Sequence, residues 1–244
     1  MELRSHSPAS NRVTVDPYCE RMFDWRSEIS SGAASLTRCR LPFGIEGWPV
    51  FSVSWAGTRF HAVVHLNQEE IDRREAVGLG AVTDYSTLSS VATLPVAAEV
   101  PWASVDPVVA AFLDCLPAGV VSVNANAVRS LLRPPLQLIA LVKEASDWRS
   151  IGSIAPLAQD APTVLLLRHR PRDLRQTMDL AQNSGVGLSY LSDSAVFGVL
   201  EPSSTPKLSV RRMRLVEVVF QRWRNQTAAI PASLSQAFSC FDGG

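Results

Sequence analysis

One group of arginines in this 244-residue chain could bind an anion. They follow an apolar run, Thr163 to Leu167, and lie around the N-terminus of a predicted helix with Asp173 in its first turn. The group consists of Arg168, Arg170, Arg172 and Arg175. A guanidinium group can bind phosphate through two parallel hydrogen bonds. Anionic ligands bind where a strand ends beside a helix N-terminus, so this position favours a phosphate site.

A second group of arginines lies on a predicted amphipathic helix near the carboxyl end of the chain. Ser209 can cap this helix, and Val216, Phe220 and Trp223 share its apolar face. The arginines that we expect to bind are Arg211, Arg212 and Arg214. If both groups meet in the folded protein, they form one surface that binds nucleic acid without strong sequence preference. The alternative is a solvated loop and a helix whose arginines keep it soluble.

Two histidines four residues apart, His61 and His65, raise the question of a metal site. On a helix this spacing places both imidazoles on one face, but residues 60–66 alternate like a strand. Four residues along a strand span roughly 13 Å, which is too far for one metal ion. The cysteines are scattered without a CxxC pair, at Cys19, Cys39, Cys115 and Cys240. We therefore predict no metal site, no disulfide framework and no cofactor.

The periodicity of apolar residues predicts the elements that position these side chains. Residues 51–66 read as a hairpin, Asn67 to Glu75 as a helix, and Asp16 to about Gly32 as a short helix. Residues 136–142 could be a buried strand or a helix segment. Further on, helices are expected at 146–157 and 171–185, and strands at 163–167, 186–191 and 195–201. This order predicts an α/β fold: a central mixed sheet flanked by helices, an N-terminal β-hairpin region and a C-terminal amphipathic helix.

The middle of the chain is less regular. We expect strand and loop over 78–104, and helices over 106–115 and 124–132. The two helices could form a helix-turn-helix that reads bases with Asn124, Asn126 and Arg129, although any helical hairpin has the same pattern. The expected regions are an N-terminal α+β region with the hairpin, an α/β core, and a basic helix with a tail; they could all form one domain. Their bounds are 1–104, 105–205 and 206–244.

Composition limits the compartment and the partners. The 23 basic and 23 acidic residues give a formal net charge of zero, so only local groups of charge favour nucleic acid. No apolar run reaches the roughly 20 residues of a membrane helix. We expect a cytoplasmic protein with no membrane partner.

Several segments in the second half of the chain occur in the order of a known family. They are the run Leu136 to Lys143, the sequence Ser146-Asp147-Trp148-Arg149, the run Thr163 to Leu167, the helix ending at Gly185-Val186-Gly187-Leu188, and the run Ala195 to Glu201. Residues 136–201 thereby resemble the second half of the PD-(D/E)XK, or restriction-endonuclease-like, superfamily. In that family a strand ending in an acidic-x-Lys motif precedes a helix, a strand, a helix and a hairpin.

The resemblance implies a nuclease-like fold, but its catalytic pattern is incomplete here. Cleavage in this family needs an Asp and a second Asp or Glu to hold Mg²⁺, and a Lys that orients water. Lys143 matches the lysine, whereas Leu141 stands at the acidic position. There is also no acidic residue between Asp114 and Glu144. The resemblance therefore implies a vestigial site at Lys143.

Three functional hypotheses follow. The first is a non-catalytic nuclease-like module that binds nucleic acid or a protein partner within a larger assembly. The second is a metal-dependent nuclease with displaced carboxylates, for example Asp84 with Glu99. The third is a purely structural or interaction subunit.

Overall fold

The alternating residues near the start of the described chain form the predicted hairpin. Strands β1 (Val50–Trp55) and β2 (Thr58–Leu66) are antiparallel, and the turn residues Ala56 and Gly57 both have positive φ, 48° and 75°. Two such residues suit the right-handed twist of a tight hairpin. The structure is a computed structural model that describes residues 48–96, 98–192, 195–203 and 208–228. The helix predicted from Asp16 to about Gly32 lies outside the described residues.

A six-stranded mixed sheet forms the centre of the protein, as the sequence predicts. Its strand order is β1-β2-β6-β7-β8-β9. The later strands are β6 (Leu136–Ala145), β7 (Thr163–Leu167), β8 (Gly187–Ser192) and β9 (Ala195–Leu200). β6, β7 and β8 are parallel, whereas β1-β2, β2-β6 and β8-β9 are antiparallel pairs. The apolar run that begins at Leu136 is therefore a strand.

Helices surround this sheet, and capping side chains mark where several of them begin. Asn67, Asp84, Asp106 and Asp173 each accept a hydrogen bond from a backbone N–H in the first turn. The helices are α1 (Gln68–Ala76), α2 (Tyr85–Ala92), α3 (Pro107–Leu113), α4 (Ser150–Ile154), α5 (Leu174–Asn183) and α6 (Val210–Ala228). Single 3₁₀ turns lie at Trp102–Ser104 and Ala155–Gln159. Among the described residues, none of these helices has the length and apolar character to cross a membrane.

The main core lies between one face of the sheet and the helices. Phe60, Leu141 and Leu165 project from the strands, and Leu215 and Phe220 of α6 pack in the same cluster. The predicted apolar face of the C-terminal helix is thus buried against the sheet. α6 lies against β1, β6 and α2, whereas α5 lies against β8 and β9.

The predicted helix over 124–132 is wrong, and the helix-turn-helix hypothesis is wrong with it. Strands β4 (Val121–Val123) and β5 (Ala127–Ser130) form a hairpin there, and β3 (Val100–Pro101) joins them in a second sheet of order β3-β5-β4. The Asn124 side chain accepts hydrogen bonds from the backbone N–H groups of Asn126 and Ala127, at 2.9 and 2.8 Å. The backbone N–H of Asn124 also donates to the Ala127 oxygen at 3.0 Å, so these bonds close the turn between β4 and β5.

Three other elements differ from the prediction. Tyr85–Ala92 is a helix, where strand and loop are expected, because Asp84 caps it and Leu88 and Val91 are buried. Of the helix expected over 146–157, only Ser150–Ile154 is α-helical, and a 3₁₀ turn that contains Pro156 follows it. α5 begins at Leu174 rather than at Pro171, since Asp173 is its cap.

Candidate nucleic-acid interface

Basic residues from three segments meet at one edge of the central sheet. β6 and β7 are parallel, so the segments that follow them, 143–149 and 168–175, leave the sheet on the same side. The beginning of β2 lies at that side too, because His61 is opposite Val142 in the antiparallel pair. We call this set the basic edge; it contains Arg59, Lys143, Arg149, Arg168, Arg170, Arg172 and Arg175. Three carboxylates, Glu144, Asp147 and Asp173, share these segments and leave a formal net charge of +4.

Lys143 is the residue of the basic edge that the resemblance singles out. Its Nζ donates a hydrogen bond to the backbone oxygen of Arg59 at 3.1 Å. Leu141, at the position of the missing acidic residue, is fully buried in the main core. A buried leucine offers no oxygen to a metal ion. In the described part of the chain, no group of three or more His, Cys, Asp or Glu side chains could hold a metal ion.

His61 lies next to Lys143 on the neighbouring strand. Burial lowers the pKa of His61, and the charges of Arg59 and Lys143 lower it further, while Glu144 opposes them. The imidazole is therefore held in its neutral form. His65 is on the same strand, with its ring 4.8 Å from the ring of Trp48.

The carboxylates considered for a displaced nuclease site belong to other elements. Asp84 caps α2: its carboxylate accepts hydrogen bonds from the Ser86 hydroxyl and from the Thr87 N–H. The hydrogen bond from Ser86, followed by that from Thr87, lowers the pKa of Asp84 to about 2. Glu99 is exposed just before β3 of the second sheet. Neither carboxylate lies in a segment of the basic edge.

The four arginines predicted after β7 are all exposed at the basic edge. Arg168 is anchored: its Nε lies 2.8 Å from Glu144 Oε1, and its backbone N–H donates to Ala145 at 3.0 Å. Arg170, Arg172 and Arg175 form no ion pair with any carboxylate of the described residues. These three guanidinium groups are therefore available to an anionic ligand.

Trp148 and Arg149 complete the basic edge, and the sequence reasoning did not assign them a binding role. Trp148 falls within the helix expected over 146–157, but in the structure it precedes α4 and is 37% exposed. The guanidinium carbon of Arg149 lies 5.9 Å from the centre of the Trp148 ring, and the Arg149 side chain is 80% exposed. The Asp147-Trp148-Arg149 sequence is the signal that could have indicated a binding role for these two residues. An exposed indole beside arginines is suited to base stacking.

Arg211, the first of the predicted arginines on α6, does not lie at the basic edge. Arg211 Nε lies 2.8 Å from Asp160 Oδ2, and Asp160 precedes the amino end of β7. Arg168 follows the carboxyl end of the same strand, which spans roughly 13 Å. Arg214 donates to the Thr83 backbone oxygen at 3.1 Å, and Arg212 lines a cavity. Arg168 and Arg211 therefore lie at opposite ends of β7, so the two predicted groups of arginines do not form one continuous row.

Comparison of the chain with known protein families, with curated proteins and with solved structures finds no match in any of the three.

Proposed function

We propose that this protein is a non-catalytic, nuclease-like module that binds single-stranded nucleic acid at its basic edge. The observation that carries the proposal is the set of exposed arginines Arg170, Arg172 and Arg175, which have no carboxylate partner among the described residues and follow β7 on the same side of the sheet as the exposed Trp148. Arginines bind the phosphates, and each phosphate contact releases counterions. The indole supplies a surface on which a base can stack.

The order of elements supports the nuclease-like part of the proposal. β6 carries Lys143, and α4, β7, α5 and the β8-β9 hairpin follow in the order that the resemblance requires. The buried side chain of Leu141 supports the non-catalytic part, since the expected metal ligand is replaced by a core residue. A module with this arrangement would hold a strand without cleaving it.

Binding of a fluorescently labelled oligothymidylate, followed by fluorescence anisotropy over a series of KCl concentrations, tests the proposal. For the double variant Arg170→Gln/Arg172→Gln, the slope of log affinity against log salt should become less negative by about 1.4, at about 0.7 per lost contact. Trp148→Ala should weaken binding by about 1–3 kcal/mol and leave the slope unchanged. The matched control is Arg133→Gln. Arg133 precedes the amino end of β6, so this variant should leave both the affinity and the salt slope unchanged.

A further variant changes the charge of the basic edge without changing the stability of the protein. Asp173→Ser keeps a capping side chain at the start of α5 and removes one of the three carboxylates. We expect tighter binding and an unchanged melting temperature. Absence of binding at low salt, or a slope that the double variant leaves unchanged, would contradict nucleic-acid binding at this edge. Cleavage of DNA in Mg²⁺ or Mn²⁺ that is lost in Asp84→Ala would contradict the non-catalytic part.

A further inference from the structure

A cavity of about 400 Å³ lies away from the basic edge, between α2, the second sheet and α6. Its apolar wall includes Val91, Leu94, Leu132, Met213 and Val216. The volume falls in the range of roughly 300–1,000 Å³ that is typical of small-molecule sites. The size and the apolar wall suit a small ligand with an apolar body.

A buried hydroxyl group belongs to the wall of this cavity but is closed off from it. Ser130 is only 1% exposed and lines the cavity from β5. Its Oγ forms no hydrogen bond with any of the described residues and has less than 1 Å² of accessible surface. A ligand in the cavity therefore does not reach this oxygen, and its recognition depends on the other side chains of the wall.

The charged side chains around the cavity favour an anion. The Arg212 guanidinium has no carboxylate partner among the described residues, although its backbone N–H donates to Ser209. Arg133 has only a 3.3 Å contact with Glu69, and both side chains are exposed, which makes that pair weak. Glu217 also lines the cavity, but its two oxygens each accept a hydrogen bond from Arg74 at 2.8 Å. The uncompensated charge is therefore positive.

We propose that this cavity binds a small amphipathic carboxylate. The apolar body lies against the wall formed by α2 and α6, and the carboxylate binds Arg212. This site is independent of the basic edge, so the two proposals can fail separately. The apolar wall disfavours a phosphate ion alone, and the arginines disfavour an uncharged ligand of the same shape.

Isothermal titration of the full chain with octanoate tests this site, with octan-1-ol and acetate as comparison ligands. Octanoate should bind one to one, and octan-1-ol and acetate should each bind at least about tenfold more weakly. Arg212→Gln should weaken octanoate binding by about tenfold, the effect of losing a hydrogen bond to a charged group. Ser130→Ala removes a hydroxyl that the ligand does not contact, so this variant should bind octanoate like the wild type and melt at or above the wild-type temperature.

The matched control is Arg222→Gln, on the same helix but lining a different groove with Ser52 and Gln221. It should bind octanoate like the wild type. The proposal is overturned if the wild type does not bind octanoate, or if octan-1-ol binds equally well. It is also overturned if Arg212→Gln, shown by its melting curve to be folded, keeps the wild-type affinity.

Discussion

A buried ion network joins α1 to α6, and its disruption should strongly destabilise the protein. Arg74 is fully buried. Its Nε donates to Glu70 at 2.7 Å, its two Nη atoms each donate to Glu217 at 2.8 Å, and Nη2 also donates to the backbone oxygen of Arg133 at 2.8 Å. The substitution Arg74→Met keeps much of the side-chain volume and removes the charge. We expect it to lower the free energy of unfolding substantially.

The size of this loss in unfolding free energy follows from the hydrogen bonds that each carboxylate keeps when Arg74 is replaced. Glu70 keeps two hydrogen bonds from Arg73, both at 2.7 Å. Among the described residues, Glu217 keeps only the Val82 N–H, at 2.8 Å, and becomes a buried charge without an opposite charge. Breaking a buried pair by removing one partner costs about 3–5 kcal/mol. That is a large part of the roughly 5–15 kcal/mol by which a typical domain is stable.

The double variant Arg74→Met/Glu217→Met provides the control. Both buried charges are then absent, so it should be more stable than Arg74→Met alone, and the two losses should not add. Urea unfolding followed by circular dichroism measures the free energies of unfolding of the wild type, of Arg74→Met, of Glu217→Met and of the double variant. If Arg74→Met costs less than about 1 kcal/mol, the size of an exposed pair, the network does not stabilise the fold as argued. Additive losses would likewise refute the coupling.

The same network has a pH dependence. Burial by itself raises the pKa of Glu70, but the hydrogen bonds and charges of Arg73 and Arg74 outweigh it and lower the pKa below its ordinary value. A carboxylate with a lowered pKa in the folded state stabilises the protein above its unfolded pKa, about 4.3. This contribution is lost as the pH falls from there through the folded-state pKa. The acid-induced loss should be smaller in Arg74→Met.

Two further predictions concern the sheet. Burial lowers the pKa of His61, so near pH 6.5 the unfolded chain binds a proton that the folded chain resists. The free energy of unfolding should therefore fall as the pH drops below about 6.5, and urea unfolding across this range should show a smaller fall in His61→Phe. An equal fall in the variant would exclude His61 as its source. A Cβ at Gly187 would lie 2.8 and 2.9 Å from Pro202 Cδ and N and 3.0 Å from the Leu200 oxygen, so Gly187→Ala should lose about 1–3 kcal/mol. A Cβ at Gly152, in α4, meets no atom within 4 Å, so Gly152→Ala should be neutral or slightly stabilising in the same assay, and equal losses in both variants would refute the steric argument.

The elements with a clear period could be predicted from the sequence. The β1-β2 hairpin, α1, β7, the β8-β9 hairpin and α6 lie within a few residues of their expected bounds. Their apolar residues alternate or recur at helical spacing, because each element buries one face or both. The α/β class followed from the order of these elements.

Where the pattern is weak, packing decided the local structure. The residues of α2 are mostly Ser, Thr and Ala, and their helix depends on the Asp84 cap and on burial of Leu88 and Val91. The residues of β5 fit a strand or a helix equally well by composition, and the Asn124 turn and pairing with β4 select the strand. Such segments have no strong preference of their own.

The sequence by itself determined which residues carry charge, and which of the elements with a clear period form and in what order. It could place Arg168, Arg170, Arg172 and Arg175 together, because they are neighbours along the chain. Only the tertiary structure decided that Arg59 and Trp148 lie at the same edge, and that Arg211 lies at the other end of β7. The pairing and direction of strands arise from contacts between residues far apart in sequence. A local apolar period specifies which face of an element is buried, but it does not specify which ends of different elements meet.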